Sequence, residues 1–169
     1  MAEQKNTKTA TVVTLPVKKS GSTVASEKKW GKAVIKLGFS MVPSLIFQAQ
    51  RRLGLSPTQL NILLQLADYW WNQERNPHPG KATIAERLNL SPRQVQRNIA
   101  ALEQGGFLKR IERTAAHRGK MTNEYDLGGL VEKLKKLEPE FTLAKEQKRL
   151  VTRRGGVLKP AASEELKKA

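Results

Sequence analysis

Cysteine is absent from the 169 residues, and histidine occurs only at His78 and His117. The first absence excludes disulfides, thiolate metal sites and cysteine nucleophiles together. The second leaves too few imidazoles for most metal or acid–base centres, so neither a metal nor a cofactor is expected. Aromatic residues make up 5% of the chain, too few for a base-stacking platform of the kind that binds single-stranded nucleic acid. Long apolar runs are also missing. The longest uncharged stretches, Leu37 to Gln50 and Leu53 to Ala67, are shorter than the about 20 residues a membrane helix needs, and each contains glycine and proline. Near the start, Thr9 to Val17 is too rich in threonine for a signal-peptide core. These absences point to a soluble, cytoplasmic protein with no membrane partner. Acidic charge is scarce as well: Asp+Glu number 15 against 31 for Lys+Arg, a net charge of +16. Such a surplus favours a polyanionic partner, because each cation that neutralises a phosphate releases a condensed counterion.

The length allows one ordinary domain with flanking segments. Residues 1–29 show no helical or strand period, and six lysines against two glutamates leave them at +4, the pattern of a flexible basic arm. Residues 30–137 carry large apolar side chains at regular spacing and read as the folded domain. Residues 138–169, dominated by Lys145, Lys148, Arg149, Arg153 and Arg154, read as a basic tail. Glu138 and Glu140 flank Pro139 at an expected helix end and read as solvated. No glycine-rich phosphate loop is present, since Gly105-Gly106 and Gly155-Gly156 lack the surrounding pattern, and no paired-carboxylate constellation accompanies them. The expectation is a protein that is not an enzyme.

Within the domain, Pro43 can open a helix with Leu45, Ile46, Ala49 and Leu53 on one face, ending at Gly54. A second helix starts at the capping box Ser56-Pro57-Thr58-Gln59 and runs through Leu60, Leu63, Leu64, Ala67, Trp70 and Trp71, which places both tryptophans in the core. The loop Asn72 to Gly80, with Pro77 and Pro79, cannot hold regular structure. A short helix from about Lys81 to Leu88, with Ile84, Ala85 and Leu88 inward, is then followed by a second capping box, Ser91-Pro92-Arg93-Gln94. A helix-turn-helix needs a small residue where its helices cross, a residue tolerant of left-handed geometry four positions on, and an apolar residue ten positions on. Ala85, Asn89 and Val95 meet these needs, asparagine tolerating positive φ better than most.

The helix Pro92 to Gln104 buries Val95, Ile99 and Leu102 and stops at Gly105-Gly106. At about 100° per residue, Arg93 and Arg97 lie opposite that stripe, flanked by Gln94, Gln96, Ala100 and Ala101. Arginine suits guanine O6/N7, glutamine can bridge adenine N6/N7, and alanines allow a close approach to a major groove. The same face would also serve as an ordinary solvated surface. Phe107 to Arg113 then reads as a strand, Thr114 to Lys120 as a polar loop, and Met121 to Leu127 as the return strand, with Tyr125 and Leu127 inward. The fold class that follows is mainly α with a small β-hairpin wing. The wing tip, carrying His117, Arg118 and Lys120, has the composition of a phosphate or minor-groove contact.

The segments Leu37-Gly38-Phe39-Ser40-Met41-Val42-Pro43, Thr83-Ile84-Ala85, Ser91-Pro92-Arg93-Gln94-Val95-Gln96-Arg97 and Gly106-Phe107-Leu108-Lys109-Arg110 resemble the bacterial winged helix-turn-helix domain of phage, plasmid and mobile-element regulators and replication initiators. More distantly they are similar to MarR-type repressors. The resemblance spans about residues 30–137 and implies double-stranded DNA as the partner, Pro92 to Gln104 as recognition helix and Phe107 to Leu127 as wing. The expected DNA-binding residues are Lys81, Ser91, Arg93, Gln94, Gln96, Arg97, Arg118 and Lys120. Gly80 stands where a Ser or Thr cap is common and Asn89 where glycine is usual, which predicts fraying of the short helix. The family contains both transcription regulators and replication or partition proteins, so both readings stand. A helix Gly129 to Leu137, with Leu130, Val131, Leu134 and Leu137 on one face, could pair across a homodimer axis or cap its own domain, and the basic tail could hold a protein partner.

Overall fold

A computed structural model of the chain describes residues 21–115, 119–153 and 155–156. It divides into two compact units, residues 1–39 and 40–169. In the first, α1 (Gly21–Trp30) and α2 (Lys32–Lys36) are separated by Gly31. The sequence predicts no structure as far as residue 29, yet residues 21–29 are helical. Residues 24–29 bury no side chain that would announce a stripe, and Ala25, Glu27, Lys28 and Lys29 are residue types of favourable helix propensity.

The second unit opens with α3 (Leu45–Gln48), a shorter helix than the expected run to Gly54, continued by turns in which Leu53 N–H still bonds the Ala49 carbonyl at 2.9 Å. Next comes α4 (Pro57–Asp68), where Ser56 Oγ accepts from Gln59 N–H at 3.2 Å and Gln59 Oε1 accepts from Ser56 N–H at 2.9 Å. This reciprocal cap satisfies two otherwise orphaned donors. Its buried residues are Leu60, Ile62, Leu63 and Leu66, so Ile62 and Leu66 join the core in place of part of the expected stripe. The helix ends at Asp68, two residues before the tryptophan pair. Trp70 still packs against the core, with its Nε1 buried and unpartnered among the described residues, whereas Trp71 is 73% exposed and does not belong to the core. Once the chain leaves the helical period, consecutive residues can no longer share a face.

The loop that follows buries Pro77 and Pro79, and the Pro77 carbonyl accepts from Tyr125 N–H at 2.9 Å. Then α5 (Lys81–Leu88) and α6 (Pro92–Gln104) form the helix pair around Ile84, Ala85, Val95, Ile99 and Leu102. Each fully buried Leu or Ile side chain contributes about 1.5–3 kcal/mol. Gly106, at φ 66°, closes α6: its N–H bonds Glu103 O and Phe107 N–H bonds Leu102 O, both at 2.9 Å. This 6→1, 5→2 pattern requires a left-handed residue.

The hairpin consists of two short ladders. β1 (Lys109–Ile111) pairs antiparallel with β4 (Glu124–Asp126), with Arg110 opposite Tyr125, and β2 (Thr114–Ala115) pairs with β3 (Gly119–Lys120). Tyr125 and Leu127 are buried, as the alternation predicts. The single long strands expected over 107–113 and 121–127 are interrupted at 112–113 and 121–123, where one bond from Met121 N–H to Arg113 O bridges the gap.

Finally α7 (Gly128–Arg153) places Leu130 and Leu134 in the same core. That helix therefore caps its own domain. It was expected to end at Leu137, and it runs through Pro139 instead. A proline inside a helix loses a hydrogen bond and costs about 3 kcal/mol. Just beyond the proline the helix meets the segment after α3: Arg52 pairs with Glu140 at 2.6 Å, and its guanidinium lies 5.8 Å from the Phe141 ring centroid. Glu140 is thus engaged, and Glu138 accepts from Thr142 Oγ1 at 2.6 Å. At its start, α7 meets the end of α6. A Cβ on Gly129 would stand 2.3 Å from the Gly106 carbonyl oxygen, so only glycine fits there. Among the described residues, no helix is long and apolar enough to cross a membrane.

Candidate nucleic-acid interface

The turn between α5 and α6 sets the angle at which the second helix is presented. Asn89 takes φ 51°, ψ 48°, Leu90 N–H bonds Ala85 O at 2.8 Å and Asn89 N–H bonds Glu86 O at 3.2 Å. Asparagine here supplies the left-handed residue that glycine usually provides, and the C-terminal turn of α5 is closed by these two bonds. At the other end Gly80 offers no side-chain cap.

Ser91 caps α6 in the manner of Ser56. Ser91 Oγ accepts from Gln94 N–H at 3.2 Å, while Gln94 Oε1 accepts from Ser91 N–H at 2.9 Å and from the Ser91 hydroxyl at 3.0 Å. Ser91, Arg93, Gln94, Gln96, Arg97 and Ala100 line one shallow concavity on the side of α6 away from the core. Arg93 and Arg97 are exposed and have no carboxylate partner among the described residues. The other arginines of this region differ. Arg87 pairs with Asp68 at 3.2 Å and stacks 4.8 Å from the Tyr69 ring centroid, Arg113 pairs with Glu124 at 3.2 Å, and Arg110 is held by Glu103. Glu103 takes Arg110 Nε at 2.6 Å and Arg110 N–H at 3.0 Å. These hydrogen bonds hold its carboxyl below the usual carboxylate range.

A second concavity adjoins the first between the start of α5 and the base of the wing. Lys81, Gln96, Arg110, Thr122, Asn123 and Tyr125 contribute to it, and Gln96 lines both. Across it, Lys81 Nζ donates to Gln96 Oε1 at 3.2 Å. Burial pushes the Tyr125 phenol above its ordinary value, so this residue acts as the neutral floor of the cleft.

Of the residues expected to touch DNA, Ser91, Arg93, Gln94, Gln96 and Arg97 are thus brought together on one surface, with Lys81 joined through Gln96. Lys120 lies on β3, its side chain outside the described residues, and Arg118 and His117 lie outside them altogether. Thr122 and Asn123 were not singled out by the sequence. Their place beside Lys81 depends on the break in the hairpin, which an alternating pattern does not reveal.

Residues 53–108 match the family of helix-turn-helix domains. Among solved structures, the chain is similar to the N-terminal domain of the DnaD protein from Geobacillus kaustophilus HTA426, with 24% identity, 78% of this chain and 99% of that chain covered, and a TM-score of 0.47. It is also similar to the YusO protein from Bacillus subtilis, with 13% identity, 83% and 100% coverage, and a TM-score of 0.36. No curated protein matches it. The matched segment runs from the turn after α3 to the residue before β1, and the α5–α6 pair followed by the hairpin has the architecture of a winged helix-turn-helix.

Proposed function

We propose that the protein is a sequence-specific double-stranded DNA-binding transcription regulator of the cytoplasm and nucleoid, acting by binding alone, without catalysis or cofactor. α6 enters the major groove, and the wing over 107–127 lies on the backbone or in the minor groove. The observation that supports this best is the outward face of α6, where Arg93 and Arg97 stand exposed and unpaired beside two glutamines while neighbouring arginines are tied to carboxylates. One recognition helix reads only a few base pairs, so tight binding calls for two copies on half-sites about one helical turn apart. A replication-initiation or partition protein is the alternative reading. It draws on the distal half of α7, where Leu143 and Leu150 are exposed on a basic helix that could take a protein partner.

Arg93→Ala or Arg97→Ala costs about 1–3 kcal/mol at the specific site and much less on random duplex, measured by fluorescence anisotropy. Equal losses on both duplexes would reduce these residues to backbone contacts. Replacing Arg118 and Lys120 together by Ala flattens the slope of log K against log salt by up to about 2 and weakens all sequences alike. Genome-wide recovery of bound DNA with footprinting separates the two readings: promoter-proximal palindromes support a regulator, iterated origin repeats an initiator.

A further inference from the structure

The polar atoms that α6 turns outward are not the ones its residue types suggest. A free glutamine offers both an oxygen acceptor and a nitrogen donor, the pair that bridges adenine N7 and N6. Neither glutamine here is free. Gln94 Oε1 receives two donors from Ser91, the backbone N–H at 2.9 Å and the hydroxyl at 3.0 Å, which fills both of its lone pairs. Gln96 Oε1 receives Lys81 Nζ at 3.2 Å. The identity of the accepting atom is fixed in each case by the chemistry of its partner, since a backbone N–H or an ammonium group can only donate. Arg93 and Arg97 carry no acceptor. Asn98, whose Nδ2 donates to the Gln94 carbonyl at 2.9 Å, sits round the helix toward the buried stripe. The only other outward carboxamide, Gln104, is in the last turn of the helix, away from the first turns that reach base edges.

We infer that the reading face of α6 presents mainly donors, the acceptors left to it being one lone pair each on Ser91 Oγ and Gln96 Oε1, so that its half-site is rich in acceptor edges: guanine, through O6 and N7, and thymine, through O4. Adenine and cytosine are disfavoured there, because their exocyclic amino groups would meet mostly donors. At Gln96 the discrimination has a second source. The oxygen keeps one lone pair, but the Lys81 ammonium beside it repels an amino group and attracts a carbonyl. Lys81 is on this account a positioning residue, which sets the preference of Gln96 from the neighbouring helix. Ala100, in the same concavity, leaves room for a thymine methyl. This inference rests on α6 being the major-groove helix, as proposed above.

The test is selection of bound duplexes from a random pool by the full-length chain, by Lys81→Met and by Gln94→Glu. Melting followed by circular dichroism establishes that each variant folds. Gln94→Glu keeps the cap, since glutamate serves at this position as glutamine does, and replaces the outward donor by a charged acceptor. The wild type is expected to enrich guanine or thymine over adenine at the α6 positions by at least about fivefold. Lys81→Met should raise adenine against guanine at one position by a similar factor, and Gln94→Glu should remove the guanine preference at another. Enrichment of adenine by the wild type, or a Lys81→Met variant that loses affinity uniformly without changing base preference, overturns the inference while leaving DNA binding intact. Duplex binding with no enriched sequence, or no binding at all, overturns the sequence-specific reading itself and the inference with it.

Discussion

α4 and α6 begin alike and end in different roles. Ser56-Pro57-Thr58-Gln59 and Ser91-Pro92-Arg93-Gln94 form the same reciprocal cap with the same distances, 2.9 Å and 3.2 Å. Counted from the cap, the sixth residue is Ile62 in α4, fully buried, and Arg97 in α6, exposed. The cap therefore fixes where a helix starts and says nothing of what it faces. α4, with no Lys or Arg, is enclosed by the rest of the unit, whereas α6 buries a narrow stripe and leaves the remainder of its circumference for a ligand.

Exchanging the sixth residues breaks this contrast most severely. Ile62→Arg puts an unpaired charge in the core and should abolish cooperative thermal melting, because burying such a charge costs several kcal/mol. Arg97→Ile, its mirror image, should leave the melting transition in place and weaken specific DNA binding by about 1–3 kcal/mol in an anisotropy titration. If Ile62→Arg still melted cooperatively, α4 could not be the enclosed helix. The caps sharpen the comparison at smaller magnitude. Ser56→Ala and Ser91→Ala should each cost about 1 kcal/mol of stability in denaturant titrations. Only the second should also alter DNA binding, since it frees one lone pair of the Gln94 oxygen.

The smallest expected effect concerns pH. Glu103 at the end of α6 is held by Arg110, and its folded-state pKa is depressed. Its contribution is therefore fully present above the ordinary carboxylate pKa and is lost as pH falls through the depressed folded value. Arg110→Ala should remove that acid-side dependence, read as a smaller difference in melting temperature between neutral and acidic buffer. Glu103 is partly exposed, and solvent screening keeps the effect modest. An unchanged acid-side slope in Arg110→Ala would assign the dependence elsewhere.

The elements that the sequence showed clearly are those whose start and stop signals are local. α5 and α6 lie between Gly80, Asn89, Ser91 and Gly105-Gly106, and their bounds are the expected ones. Errors arose where the deciding interaction is remote or where a stop signal is missing. Nothing near Asp68 marks the end of α4, so the period extends on paper through Trp71. Pro139 is a strong local stop that α7 nevertheless runs through, and the contact made just beyond it, from Arg52 to Glu140, spans 88 residues of sequence. The candidate interface shows the same division. The arginines and glutamines of α6 can be read from helical phase, but the engagement of Gln96 by Lys81 crosses between two helices 15 residues apart and is invisible to periodicity.

The tight passage of Gly129 past the Gly106 carbonyl gives the long C-terminal helix a mechanical character. With 26 residues, α7 is a rod of about 39 Å, and its near end lies so close to the turn that terminates α6 that no side chain fits between them. A load applied at the far end, near Leu150, is passed to this close contact. It can be taken up by bending the rod, most easily at Pro139 where a backbone bond is missing, or by tilting α6.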